Sequence, residues 1–313
     1  MVFKWLKDLL GGEPKTTEWF PDYNDYKSWE DISNIVKRLH KENPSITELT
    51  SSGGSVEKKD LWLMTISKHI GNLTDKKGVF IVGCHHGREV ISSETAVYVL
   101  EWLLGNLEQS DIKKAIDHGF IQVMIMHNPD GRKRITRKNA NSVDLNRNYS
   151  YRWGEDGASH WPGSQIYCGP KALSEPEAEI LDKHFKDMGI SRFPYSITYH
   201  SGIEAILFPW GDKYEDAPDL PEIKVIGKET EQEAKKRNLA PLDYYQSVEL
   251  YPATGTMGDH VYALYDSLCY CVEVYQGSGP IWEYFNPPKD KINDTCKRNI
   301  PLVVVLLRRL LNH

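Results

Sequence analysis

The sequence predicts an α/β protein with a mixed, largely parallel sheet, and three observations carry that reading. Strand-like and helix-like segments alternate along the chain. The strand-like runs at 79–84 (VFIVGC) and 121–126 (IQVMIM) are mostly apolar, as strands covered on both faces are. His86, Asn128, His200 and Glu273 stand at or just beyond the C-terminal ends of strand-like runs, where α/β sheets bind their ligands.

The elements follow in order. Residues 27–42 read as an amphipathic helix with Trp29, Ile32, Ile35, Val36 and Leu39 on one stripe. Strands are expected at 61–67 and 79–84, then helices at 92–105 and 110–118. The strand at 121–126 ends in Asn128-Pro129-Asp130-Gly131, which reads as a turn. Residues 132–172 have no clear period, and so long an irregular stretch in a compact domain is usually functional. Ser174-Glu175-Pro176-Glu177 reads as a helix start with Ser174 as the N-cap, the helix running to about Asp187. Strands at 195–200 and 205–209 precede a polar loop at 211–222. Helices are expected at 222–237 and 257–266, a strand at 268–274 and a last helix at 298–312.

Composition narrows the function classes. The chain has 313 residues, 40% hydrophobic and 26% charged, and a formal net charge of −6, an ordinary globular balance. It has no block of Lys and Arg, which argues against nucleic acid as a partner. Five cysteines, irregularly spaced, point to reduced thiols and a cytoplasmic, reducing compartment rather than a disulfide framework. Met1–Gly12 mixes charges among its apolar residues and lacks the pattern of a signal peptide. The apolar run at 301–307 is too short to span a bilayer, so no membrane partner is expected. Residues 1–20 are expected to be an N-terminal extension and 21–313 a single catalytic domain.

His86 and Glu89 stand three positions apart where a strand gives way to a helix. Such spacing can aim an imidazole nitrogen and a carboxylate at one point, and zinc accepts both. A catalytic zinc takes three protein ligands, and His200 is the best candidate for the third. His85 competes with His86, but neighbours on a strand end face opposite ways and only His86 has the spacing to Glu89. His127 is expected to pack or bond locally.

These pieces, with GCHHGRE (83–89), NPDG (128–131), TRKN (136–139), VDLNRN (143–148), YCGPKALSEPE (167–177), YHSG (199–202), LYPATG (250–255) and VEVYQGSG (272–279), resemble the zinc carboxypeptidases of the carboxypeptidase A family. The resemblance runs from about residue 25 to the C-terminus and keeps the family's order. It implies a twisted sheet with helices on both faces and a metallocarboxypeptidase that hydrolyses the C-terminal bond of peptides or proteins. It implies one Zn²⁺ per chain, held by His86, Glu89 and His200. Glu273 resembles the catalytic carboxylate, and its apolar strand would raise its pKa toward that of a useful base. Arg137 resembles the arginine that stabilises the oxyanion, with Arg134 close by in the same basic run. Arg147 with Asn146 resembles the clamp for the substrate's terminal carboxylate, a task suited to a guanidinium fork. Tyr251 resembles a tyrosine that closes over substrate, and Arg88 a contact further from the cut bond. Asp144 is open between orienting a metal histidine and serving a turn.

Three departures from the family bear on substrate. Thr136 replaces a usual aromatic; Gly202 stands where an aromatic is common, which would open the non-primed side; and Gly258 falls at the side-chain specificity position. The alternatives are an amidohydrolase or deacylase of the same architecture, a hydrolase of cell-wall peptides or side-chain-linked glutamate, and an inactive binding module. The intact Asn146 and Arg147 favour a free α-carboxylate, and the intact Glu273 favours an enzyme.

Overall fold

The computed structural model describes residues 18–312. The segment 1–17, with the amphipathic start and most of the expected extension, lies outside the described residues. Among the described residues, eight strands form one mixed sheet in the order β1-β2-β4-β3-β5-β8-β6-β7. They are β1 (Thr47–Gly54), β2 (Asp60–Ile66), β3 (Gly78–Gly83), β4 (Phe120–Met124), β5 (Tyr195–His200), β6 (Glu204–Phe208), β7 (Asp243–Gln246) and β8 (Leu268–Val274). The central strands β4, β3, β5 and β8 run parallel. The β1–β2, β2–β4 and β8–β6 pairs are antiparallel.

Central strands with both faces covered need apolar residues at every position. In β3, Val79 and Ile81 enter one hydrophobic cluster, and Phe80 and Val82 enter a second on the opposite face. The first cluster takes side chains from helices α1 (Trp29–Glu42), α2 (Val90–Gly105) and α3 (Ser110–His118). The second is closed by Ala178, Leu181 and Phe185 from a helix at Pro176–Met188 and by Met257 and Val261 from one at Met257–Tyr265. In chain order the remaining helices are α4 (Pro129–Arg134), α5 (Pro176–Met188), α6 (Leu220–Lys236), α7 (Met257–Tyr265), α8 (Ile281–Phe285), α9 (Ile292–Lys297) and α10 (Ile300–Leu310). Helices α6 and α10 add Ile223, Ile226 and the run 302–307 to the first cluster.

The structure departs from the sequence expectations in several places. Strands β1 and β7 were not anticipated: TELTSSGG and DYYQ carry little apolar signal because they are edge strands. Asn128-Pro129-Asp130-Gly131 begins helix α4 rather than forming a turn, with the Asn128 side chain accepting from Gly131 N as the N-cap. Glu175, not Ser174, stands at the N-cap position of helix α5, with no side-chain cap hydrogen bond, and the Ser174 Oγ donates to Glu175 Oε1 at 2.8 Å. The expected helix at 298–312 is α10 alone, preceded by the short helices α8 and α9.

Candidate active site

Parallel register brings the site together. His200 ends β5 and is the register partner of Glu273 on β8. Their side chains therefore rise from the same face of adjacent strands. His86 and Glu89 follow β3, the neighbour of β5 on its other side. Cys84, at the end of β3, has a φ of 63°, a left-handed conformation uncommon for a side-chain-bearing residue. Glu89 is the N-cap residue of α2, yet its carboxylate makes no cap hydrogen bond and turns to the histidines instead.

The donor atoms converge. His86 Nδ1 lies 2.8 Å from Glu89 Oε1, and His200 Nδ1 lies 3.1 Å from Glu89 Oε2 and 3.2 Å from His86 Nδ1. All three residues are buried. Two zinc–ligand bonds at the tetrahedral angle leave their donors about 3.3 Å apart, so this set fits zinc in spacing as well as in donor chemistry. His86 Nε2 lies 3.0 Å from Asp144 Oδ1, so it carries the proton and Nδ1 presents its lone pair. That decides Asp144: it orients a candidate metal ligand, and its Oδ1 also accepts from Asn146 N. Burial alone would raise the Asp144 carboxyl, but Arg137 and His86 hold it well below the usual range. Burial likewise opposes ionisation of Glu89, yet its polar neighbours His86 and His200 hold the carboxyl below its ordinary value.

Around this trio lies a cleft of about 300 Å³. Glu273 lines it, with Oε2 closed from solvent and without a hydrogen-bond partner among the described residues. Burial, and then the nearby Glu89 charge, push the Glu273 carboxyl well above its ordinary value. Arg137 donates from Nε to Asp144 Oδ2 at 2.8 Å, and its Nη1 lies 3.8 Å from Glu89 Oε1. Arg134 pairs with Glu57 at the surface, which leaves Arg137 as the arginine of this run in the cleft.

Arg147 lines the cleft and is 2% exposed. Its Nε donates to Gly157 O at 2.8 Å and its Nη1 to Asn146 O at 2.6 Å, and among the described residues it makes no ion pair. Asn146 Oδ1 accepts from Met257 N, which leaves its amide nitrogen free of that bond. Tyr251 lines the cleft while remaining 50% exposed. The Arg88 guanidinium sits 4.3 Å from the centre of the Phe285 ring.

A model of the zinc carboxypeptidases matches residues 32–301. The chain belongs to the zinc carboxypeptidase family. Like others of that family, it is a metallocarboxypeptidase, a hydrolase acting on peptide C-termini, with His86, Glu89 and His200 as its candidate zinc site. It is 29% identical to zinc carboxypeptidase A 1 of Anopheles gambiae over 301 residues, covering 91% of this chain and 68% of that relative. It is 26% identical to carboxypeptidase B of Helicoverpa zea over 313 residues, 92% of this chain and 71% of the relative. Among solved structures, bovine thrombin-activatable fibrinolysis inhibitor in complex with a tick carboxypeptidase inhibitor superposes with a TM-score of 0.79 at 26% identity, over 93% of this chain and 99% of that one.

The fold places His86, Glu89, His200, Glu273, Arg137, Asn146, Arg147, Tyr251 and Arg88 around one cleft. The expected opening beside Gly202 is not there: a side-chain carbon at that position would meet Phe285 Cε1 at 3.3 Å, because α8 brings an aromatic from elsewhere in the chain. Gly258 does line the cleft, and a carbon added there would meet only Cys269 Sγ at 4.0 Å. Sequence reading missed Phe285 and Asp259. The alternation of β8 was a signal for Cys269 and Cys271, which share a face with Glu273 and line the cleft with it; no sequence pattern pointed to Phe285.

Proposed function

We propose that the chain releases the C-terminal residue of peptides whose α-carboxylate is free, with Arg147 and Asn146 holding that carboxylate and Glu273 moving the protons. The observation that carries this reading is Arg147: a buried guanidinium in the cleft that makes no ion pair among the described residues. A charge left unpaired away from water is costly, and an anionic ligand relieves the cost. A carboxylate matches the guanidinium fork better than any neutral group.

His86, Glu89 and His200 would hold the metal. Bound zinc supplies Lewis acidity, which makes a water a stronger acid and a carbonyl a better electrophile. Glu273, biased toward protonation by burial, is suited to take a proton from the attacking water and to deliver it to the leaving amine nitrogen. Arg137 reaches the same cleft wall and would stabilise negative charge developing on the carbonyl oxygen. Tyr251, half-exposed at the cleft, would cover bound substrate, with Arg88 and Phe285 bordering the chain on the far side of the cut bond. The departing side chain would enter a pocket bounded by Leu207, Leu250, Ala253, Gly258, Cys269 and Cys271.

The test compares a blocked dipeptide with its C-terminal amide. The free acid should be cleaved much faster, and Arg147→Ala should erase most of that difference by slowing the free acid. A buried charge-assisted contact is worth roughly 1.5–3 kcal/mol, about 10- to 150-fold in kcat/KM. Arg147→Lys should restore only part of it, because lysine offers a charge without the fork. Equal cleavage of acid and amide by the unaltered protein would replace this reading with an amidohydrolase.

A further inference from the structure

The two histidine ligands are held in different ways. His86 Nε2 is tied to Asp144. His200 Nε2 is buried and has no hydrogen-bond partner among the described residues. Metal-binding histidines almost always have their second nitrogen hydrogen-bonded, because that bond fixes the ring's orientation. For His200 something else must set the plane of the ring.

The neighbour in the right place is His85. Its ring lies nearly parallel to that of His200, with centroids 5.4 Å apart and planes at 21°. His85 is fully buried and both of its nitrogens are engaged. Nδ1 lies 3.1 Å from Thr198 Oγ1 and Nε2 lies 3.0 Å from the Tyr149 hydroxyl. The same hydroxyl lies 3.1 Å from His127 Nε2, and His127 Nδ1 lies 3.4 Å from Met124 Sδ. A side chain anchored at both ends of the ring cannot turn without breaking a buried hydrogen bond, and a buried polar group left unpaired is costly.

The chain of contacts also fixes every proton. A thioether can only accept, so His127 Nδ1 carries the hydrogen. Its Nε2 then accepts from Tyr149. The Tyr149 oxygen accepts in turn from His85 Nε2, and His85 Nδ1 accepts from the Thr198 hydroxyl. This order satisfies all four contacts; the reverse order leaves a lone pair on His127 facing a sulfur that has no proton. It places one proton on each ring, the neutral form of both histidines. Two further bonds fasten the platform to the rest of the site. Asn128 Nδ2 donates to His85 O at 3.0 Å, and Tyr149 N donates to Gly255 O at 3.1 Å, in the loop that follows Tyr251.

We infer that His85 is a positioning residue for His200: its ring, clamped between Thr198 and Tyr149, is a stacked platform that sets the plane of the ligand imidazole and aims His200 Nδ1 at His86 and Glu89. The inference rests on the reading that these three residues hold the metal. It assigns His85 no contact with substrate or metal.

The test measures how fast zinc leaves the loaded protein into excess chelator, and the visible spectrum of the cobalt(II)-substituted protein. His85→Leu keeps the bulk and removes the ring. It should release zinc on the order of ten-fold faster, as loss of an outer-shell support typically does, and should shift the cobalt bands. His85→Phe restores a flat ring without the two anchors and should recover part of the release rate. Tyr149→Phe removes one anchor and should speed release in the same direction by a smaller factor; it decides the matter if His85→Leu does not fold. A merely structural role would lower the melting temperature and leave release rate and cobalt spectrum as in the parent, and that result in either variant overturns the inference. His200→Ala separates the two levels. If it keeps a full equivalent of zinc, the ligand assignment is what fails; if it loses zinc while folded His85→Leu behaves like the parent, only the role of His85 fails.

Discussion

Glu273 shows at a single residue how the fold prepares a base. An ordinary glutamate on a strand end would be solvated and ionised. Here burial comes first and the charge of Glu89 second, and together they favour the protonated form. A carboxyl raised above its ordinary value is a stronger base than an exposed glutamate, which suits it to general base catalysis. Glu273→Gln is nearly isosteric, so it should fold and bind one equivalent of zinc while kcat falls by roughly 10² to 10⁴. Retention of near-parental turnover in that variant would mean that another group takes the proton. The position of Glu273 was legible in the sequence, since an acid ending an apolar strand is unusual. Its register partnership with His200 was not, because pairing depends on which strands become neighbours.

At the scale of elements, the loop between β3 and α2 carries two of the three candidate metal ligands, and it packs without slack. A side-chain carbon added at Gly87 would lie 2.0 Å from Gly131 C and 2.2 Å from Arg132 N, both backbone atoms of α4. Backbone cannot swing aside as a flexible side chain can. Gly87→Ala should therefore cost about 3 kcal/mol or more, the upper end of the range for overpacking, and should lower zinc affinity because His86 and Glu89 flank the displaced residue. Urea unfolding together with metal analysis checks this; a variant with parental stability would show that α4 moves freely. Helix α7 makes a different point. Asp259 in its first turn is buried, accepts from Gly211 N at 3.0 Å, and is raised by burial from 3.8 to about 7. Because the folded value is the higher one, the carboxyl favours folding fully below pH 4, and that contribution drains away as pH rises through about 7. Asp259→Asn lacks the titration, so its stability relative to the parent should improve between pH 4 and pH 8, by at most about 4 kcal/mol. Urea unfolding of both proteins at the two pH values gives the difference, and an unchanged difference would show that Asp259 does not titrate in this range.

For the whole molecule, the candidate site joins the end of β3 and the start of α2 to the end of β5. A metal that binds only the folded arrangement stabilises it by mass action, about 4.1 kcal/mol when free metal is a thousand times Kd. Chelation should therefore lower the melting temperature by several degrees, and added zinc should raise it again in proportion to the logarithm of its concentration. His200→Ala should lose that concentration dependence. A melting temperature indifferent to zinc in the parent protein would show that the three donors do not form a working site.

The sequence by itself determined the α/β class, the central strands and some, not all, of the residues that line the cleft. These depend on short-range signals: apolar runs, the His86–Glu89 spacing, and motifs whose order along the chain matches a family. Edge strands β1 and β7 escaped because they bury too little to need an apolar pattern. Phe285 escaped for a different reason. It fills the space beside Gly202 from 83 positions away in the numbering, and no local pattern announces such a contact. The same holds for Asp144, which could serve a turn or a metal ligand until its distance to His86 Nε2 decided between them, and for His85, whose sequence position only set it against His86. Local chemistry chooses which residues are able to act. Sheet order and register choose which of them meet, since those are settled by the burial of the whole chain and not by any segment of it.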